Sequence, residues 1–308
     1  AAVRALKTVG KAAPADGLFD EFCSRFPYTE TEDQRRAIDD VLADMGGGSP
    51  ADRLICGDVG FGKTEVALRA AFVIALEGRQ VAVVVPTTLL CRQHYQTFCQ
   101  RFADYPVRIE QLSRLVAGKR AEEVKAGLKD GTVDIVIGTH ALLRGVIRFR
   151  DLALLVIDEE QHFGVADKEK LKKFKANIHV MTLTATPIPR TLQLALAGVR
   201  EMSLIATPPV DRLAVRTFVL PFDPVVIREA IRRERYRGGQ TFYVCPRIED
   251  IKRVERQLKD LVPEIKVVTA HGRMPARKLE TAVTAFYAGA CDLLLSTNII
   301  ESGLDLPT

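Results

Sequence analysis

The string GDVGFGKT, Gly57 to Thr64, places three glycines, a lysine and a hydroxyl in eight positions. It fits the pattern G-x-x-x-x-G-K-[ST]. Glycines at that spacing let backbone N–H groups turn inward around an anion, and the amino end of a following helix adds its positive dipole. Lys63 would reach the β- and γ-phosphates of a nucleotide, and Thr64 would hold Mg²⁺. A glycine-rich turn with a surface lysine is the plain alternative. The flanks argue against it: an apolar strand precedes the loop and a long amphipathic helix follows. Gly57, Asp58, Val59, Gly60, Phe61, Gly62, Lys63, Thr64 and Glu65 are therefore candidate nucleotide contacts.

A phosphate loop needs an acid at the end of a neighbouring buried strand. LALLVIDEEQHFG, from Leu152, supplies one. Asp158 would complete the Mg²⁺ shell, and Glu159 would orient and deprotonate an attacking water. Taken alone, a paired acid after an apolar run also fits a helix amino terminus; with the loop upstream, the metal reading is favoured. Adenine needs a platform and hydrogen bonds. In FPYTETEDQ, Phe26 could stack on the base and Gln34 could read its amino edge. Periodicity alone places Phe26 equally well in a core.

These residues require strands that end beside the ligand. Strands are expected at 53–57, 81–86, 133–138, 153–158 and 179–184. Helices are expected over 63–77, with Val66, Ala70, Val73 and Ile74 on one face, and over 89–103, with Cys91, Tyr95, Phe98 and Phe102. Continuous apolar strands alternating with helices imply a parallel sheet covered on both faces. Pro208 and Pro209 interrupt the pattern. It resumes with strands near 216–221, 240–245, 265–270 and 292–297, and with helical stripes such as Val254, Leu258, Leu261 and Leu279, Val283, Phe286. The expected division is a helical linker at 1–25, a first lobe at 26–207, a connection at 208–215 and a second lobe at 216–308.

Composition sets the bounds. With 308 residues, 47% apolar and 27% charged, the chain can bury two ordinary cores. A net charge of +5 permits an acidic partner without demanding one. The six cysteines form no C-x-x-C pair, which argues for free thiols in a reducing compartment and against zinc or a disulfide framework. No apolar run approaches the ~20 residues of a membrane span, so a cytoplasmic protein with no membrane partner is expected.

The ordered strings FPYTETEDQ, GDVGFGKTEVALRAAF, VPTTLLCRQHY, GTHALL, DEEQHFGV, LTATPIPRTL, TAHGRM and STNIIESGLDLP together resemble the superfamily 2 DNA translocases. Within them, the chain is most similar to the bacterial transcription-repair coupling factors. TATPIPRTL is shared with the RecG branched-DNA helicases, whereas GDVGFGKTEVALRAAF and DEEQHFGV lean towards the coupling factors. The resemblance covers roughly residues 18–308.

It implies two RecA-like parallel-sheet lobes in tandem, an ATP and Mg²⁺ requirement, and DNA-dependent ATP hydrolysis. It implies that Thr184, Ala185 and Thr186 relay nucleotide state to a DNA groove. Thr87, Arg92, Thr139 and His140 match strings along the DNA backbone in the first lobe; Arg247, His271, Gly272 and Thr297 match those of the second. CPRIED departs from the family string, with Pro246 where Asn is usual. Gly303 and Asp305 match residues that face the nucleotide across the cleft. The implied activity is translocation on double-stranded DNA that displaces stalled RNA polymerase, with the excision-repair protein UvrA recruited through other modules. The competing expectations are a RecG-type junction helicase and, from another class, a non-hydrolysing nucleotide-binding scaffold. Since the chain lacks an initial Met and ends in the fifth helicase string, a fragment of weak or no activity is expected, with its second lobe incomplete.

Overall fold

The computed structural model describes residues 9–14, 17–113, 116, 118–143, 147–163, 177–185, 200–210 and 215–297. The chain divides into two compact units, Ala1–Arg212 and Leu213–Thr308.

The first unit is built on seven strands: β1 (Asp52–Gly57), β2 (Gln80–Val84), β3 (Ile109–Leu112), β4 (Ile135–Gly138), β5 (Leu152–Asp158), β6 (His179–Thr184) and β7 (Glu201–Ile205). Their order in the sheet is β3-β4-β2-β5-β6-β1-β7, and every pairing is parallel. All carboxyl ends therefore share one edge. Strands β2, β4 and β6 are buried at every position, as their unbroken apolar runs require. Five of the seven follow the sequence pattern. The two that it does not mark, β3 and β7, are the edges. Edge strands are half-wet, so IEQL and EMSLI carry charged and polar residues that blur the apolar signal.

Helices α1 (Leu18–Ser24), α2 (Glu32–Gly46), α3 (Lys63–Leu76), α4 (Thr88–Arg101) and α5 (Gly118–Asp130) belong to this unit. Residues Glu65 through Ala75 of α3 are all buried, so this helix is central rather than amphipathic at a surface. Residues read as a linker also join the core. Phe22 of α1 is fully buried and stacks on Phe72 of α3 with ring centroids 4.2 Å apart. Burying such a ring contributes about 1.5–3 kcal/mol, so Phe22 fastens the segment to the lobe.

The second unit has β8 (Thr241–Val244), β9 (Val267–Ala270) and β10 (Leu293–Ser296) in the parallel order β8-β10-β9. Helices α6 (Pro224–Tyr236), α7 (Ile248–Leu261) and α8 (Ala276–Tyr287) flank it. The Leu293-Leu294-Leu295 run alternates across the central strand. Leu293 and Leu295 pack with Ile251, Val254 and Leu258, while Leu294 faces Phe286 and Ala270. The strand expected at 216–221 does not form. Its residues are irregular, with Phe218 75% and Val219 94% exposed. No described strand pairs with it, and Pro221 at the end of the run has no N–H to give a ladder.

No helix among the described residues is long and apolar enough to cross a membrane.

Candidate active site

Strand register brings the nucleotide candidates together. Cys56 of β1 lies beside Thr184 of β6, and Leu183 of β6 lies beside Asp158 of β5. The loop after β1, the Thr184-Ala185 turn and the Asp158-Glu159 pair thus stand on three adjacent strand ends. Thr87 and Arg92 follow β2, and Thr139 and His140 follow β4, further along the same edge. The edge is divided: β5, β6 and β1 carry the nucleotide candidates, and β4 and β2 the DNA candidates.

In the phosphate loop, Gly60 and Gly62 have φ of 78° and 76°, left-handed values that glycine tolerates best. Lys63 Nζ donates to the carbonyls of Gly57 at 2.6 Å and Asp58 at 2.9 Å. Burial lowers the pKa of the Lys63 ammonium, and the carboxylates of Glu159, Asp158 and Asp58 oppose that shift. The lysine therefore sits in the field of both strand-end acids, where a phosphate would replace its carbonyl partners. Thr64 is half-buried in the first turn of α3.

Glu159 is the only described non-glycine residue with positive φ, at 52°. It is 3% exposed. Its carboxylate accepts from the Ala185 amide at 3.2 Å, from the Thr184 hydroxyl at 3.4 Å and from the Gln161 amide. Strained backbone of this kind persists where surrounding bonds over-determine it. Two of the three relay candidates thus touch the candidate base directly. Thr186, Gly303 and Asp305 lie outside the described residues.

Among the described residues, no three His, Cys, Asp or Glu side chains gather into a metal cage. Thr64 and Asp158 offer hard oxygen donors, and so small a set suits Mg²⁺, which keeps its waters and takes phosphate oxygens.

At the adenine side, Phe26 is half-buried. The Arg69 and Arg101 guanidiniums each lie 5.9 Å from its ring centroid. Gln34 is 4% exposed and already engaged. It closes a capping box with Thr31 at the start of α2, and its Nε2 donates to the Phe61 carbonyl at 2.9 Å. In this arrangement the amide anchors the phosphate loop rather than presenting an open edge. Glu65 also points elsewhere than expected. Its carboxylate pairs with Arg69 at 3.0 Å and Arg101 at 2.8 Å, and its own amide donates to Gly62 O.

Of the DNA candidates, Thr87 caps α4 by accepting from the Leu90 amide at 3.2 Å, and Arg92 is exposed. His140 is half-buried, but Thr139 is 3% exposed, so its side chain does not line an open groove. In the second unit, Arg247, His271 with Gly272, and Thr297 follow the ends of β8, β9 and β10 on one edge. Arg247 and Gly272 are exposed and Thr297 is 8% exposed.

The sequence did not mark two neighbours of the acids. Gln161 holds Glu159, and its Oε1, 3.4 Å from Thr184 Oγ1, shares the one Thr184 hydroxyl proton with that carboxylate; its place two residues after Glu159 was the available signal. His94 of α4 bonds Asp158 through Nε2···Oδ2 at 3.0 Å. Those residues are 64 apart, and no local pattern joins them.

Residues 31–195 match the DEAD/DEAH box helicase family, and residues 224–308 match the helicase conserved C-terminal domain. The chain is 55% identical over 292 residues to the transcription-repair-coupling factor of Rickettsia bellii, covering 94% of this chain and 26% of that protein. It is 54% identical over 295 residues to that of Bacillus subtilis, covering 96% and 25%. The chain thus spans about a quarter of the length of the curated relatives it matches. A solved structure of RecG bound to a three-way DNA junction superposes with a TM-score of 0.80 at 33% identity, covering 99% of this chain and 41% of that one. The resemblance to the coupling factors and the RecA-like α/β fold expected from the motifs both hold.

Proposed function

The chain belongs to the DEAD/DEAH box helicase family, and from that premise we propose that it works as the ATP-driven double-stranded-DNA motor of a transcription-repair coupling factor. Residues 26–207 form the ATP-binding lobe, 208–215 the connection and 216–308 the partner lobe. The observation that carries this reading is the contact of the Glu159 carboxylate with Thr184 and Ala185, one strand from the phosphate loop.

The roles follow from the chemistry of each group. Backbone N–H groups of the Gly57–Thr64 loop and the Lys63 ammonium bind the phosphates, with those of Val59 and Phe61 leaving the Asp58 oxygens to which they donate here. Phe26 stacks on the base, and Gln34, by giving up its bond to Phe61 O, reads adenine. Thr64 and Asp158 hold Mg²⁺, which when bound supplies neutralisation of phosphate charge. Glu159 accepts a proton from the water that attacks the γ-phosphorus, and ADP leaves. As charge moves off that carboxylate, its bonds to Ala185 N–H and Thr184 O–H weaken. Thr184, Ala185 and Thr186 thereby pass the nucleotide state on, and Gly303 and Asp305 are proposed as further nucleotide contacts.

Thr87, Arg92, His140, Arg247, His271, Gly272 and Thr297 hold phosphates of DNA, while Thr139, buried behind His140, sets the backbone there. Such grip is sequence-independent and weakens with salt. Movement along duplex DNA displaces a stalled RNA polymerase, and UvrA is recruited by parts of the protein beyond these residues. The test is ATP-driven displacement of a triplex-forming oligonucleotide from linear duplex, followed by release of a stalled polymerase. Triplex displacement without polymerase release would keep the motor and remove the coupling role.

The match to RecG bound to a junction favours one other reading, a branched-DNA helicase. Stimulation of hydrolysis by three-way junctions well above that by linear duplex would select it.

A further inference from the structure

His94 lies two turns into α4, the helix that begins after Thr87 and exposes Arg92. It is 7% exposed, and Asp158, its partner across the sheet, is 9% exposed. An ionised carboxylate only accepts, so the 3.0 Å contact makes Nε2–H the donor and fixes the imidazole tautomer. The other nitrogen, Nδ1, is buried with no partner among the described residues. Among the described residues, the bond to Asp158 is therefore the hydrogen bond that this imidazole makes.

We propose that His94 is a positioning residue for Asp158. Its Nε2–H commits Oδ2 to the protein and leaves the second carboxylate oxygen to the Mg²⁺ that accompanies ATP. The inference rests on the reading of Asp158 as a metal ligand. It also supplies a direct link across the divided edge, because α4 carries Thr87 and Arg92 at one end and holds the metal carboxylate two turns later. Donors of this kind around metal ligands typically change metal affinity 10- to 100-fold when removed.

The test measures binding of a fluorescent ATP analogue as Mg²⁺ is titrated against EDTA, with melting curves alongside. The variants are His94→Leu, which removes the donor at similar volume, and His94→Gln, which keeps one. His94→Leu is expected to need roughly 10- to 100-fold more Mg²⁺, with unchanged metal-free nucleotide affinity and an unchanged melting temperature. His94→Gln is expected to stay within a few-fold of wild type. Wild-type Mg²⁺ dependence in His94→Leu overturns the proposal, as does an equal loss of metal-free affinity, which marks a packing role. A folded His94→Gln that behaves like His94→Leu also overturns it. If His94→Leu does not fold, His94→Gln decides alone. Absence of Mg²⁺-dependent binding in the wild type removes the Asp158 reading itself, and the inference with it.

Discussion

Gln34 and Phe61 are joined by a 2.9 Å hydrogen bond from the Gln34 amide Nε2 to the Phe61 carbonyl. The same side chain accepts from the Thr31 amide at 2.9 Å and so closes the cap of α2. One residue therefore starts a helix and holds the middle of the phosphate loop. Asp33 beside it accepts from Ala206 and Thr207, where the chain leaves β7. The first turn of α2 ties together the nucleotide loop and the exit from the first unit.

Gly62→Ala breaks this arrangement. A Cβ there would stand 2.3 Å from Gln34 Nε2, at a φ of +76°. The left-handed backbone costs about 1–2 kcal/mol, and displacing Gln34 costs about 1 kcal/mol more for its lost hydrogen bond. Denaturant unfolding should show a loss of about 2–3 kcal/mol, with nucleotide binding lost. Unchanged stability would mean that the loop rearranges freely.

Acid should weaken the first unit in two pH windows. His179 is buried, with its pKa pushed down to about 4, and its Nδ1 accepts from the Ala51 amide at 3.4 Å. It is neutral in the fold, so its share of stability is complete above the usual value near 6.5 and is lost as pH falls towards 4. The Thr207 hydroxyl and amide, then Arg36 and Ala206, hold Asp33 at about 2. Its share is complete above the ordinary carboxylate range and is lost as pH falls through that range towards 2. Urea midpoints measured from pH 7 to 2 should fall in both windows, and Asp33→Asn should flatten the lower one only.

Glu65 is a structural acid rather than a nucleotide contact. Its carboxylate lies between Arg69 and Arg101, and all three side chains are nearly buried. Glu65→Leu should cost about 3 kcal/mol, the low end for a broken buried ion pair, because Arg69 keeps Glu30. An effect under about 1 kcal/mol, the level of a surface pair, would show that the arginines find other partners.

Glu159→Gln keeps an oxygen for the Ala185 amide but cannot take a proton from water. It should bind ATP as the wild type does and lose turnover by about 10²- to 10⁴-fold, the usual worth of a general base. Loss of binding instead would assign Glu159 to holding the turn after β5.

Much of this site was legible in the sequence because it is local. GDVGFGKT sets its own glycine geometry, and the apolar run before Asp158 announces a buried strand that ends in an acid. What was not legible depends on partners far along the chain. His94 meets Asp158 only because β2 and β5 are neighbours in the sheet. Glu65 looked like part of the loop because it adjoins Thr64, yet α3 turns its carboxylate to Arg101, which sequence distance conceals. The run at 216–221 has the composition of a strand, yet no described strand pairs with it, and composition does not encode pairing.

The central claim is that Lys63 and Glu159 serve one ATP-hydrolysing site driven by DNA. It is tested most directly by steady-state ATP hydrolysis of the full-length protein with and without linear duplex, for wild type and Lys63→Ala. The account predicts turnover in the wild type that rises with duplex and falls as salt is raised, and none above background in Lys63→Ala. Equal turnover in Lys63→Ala would contradict it.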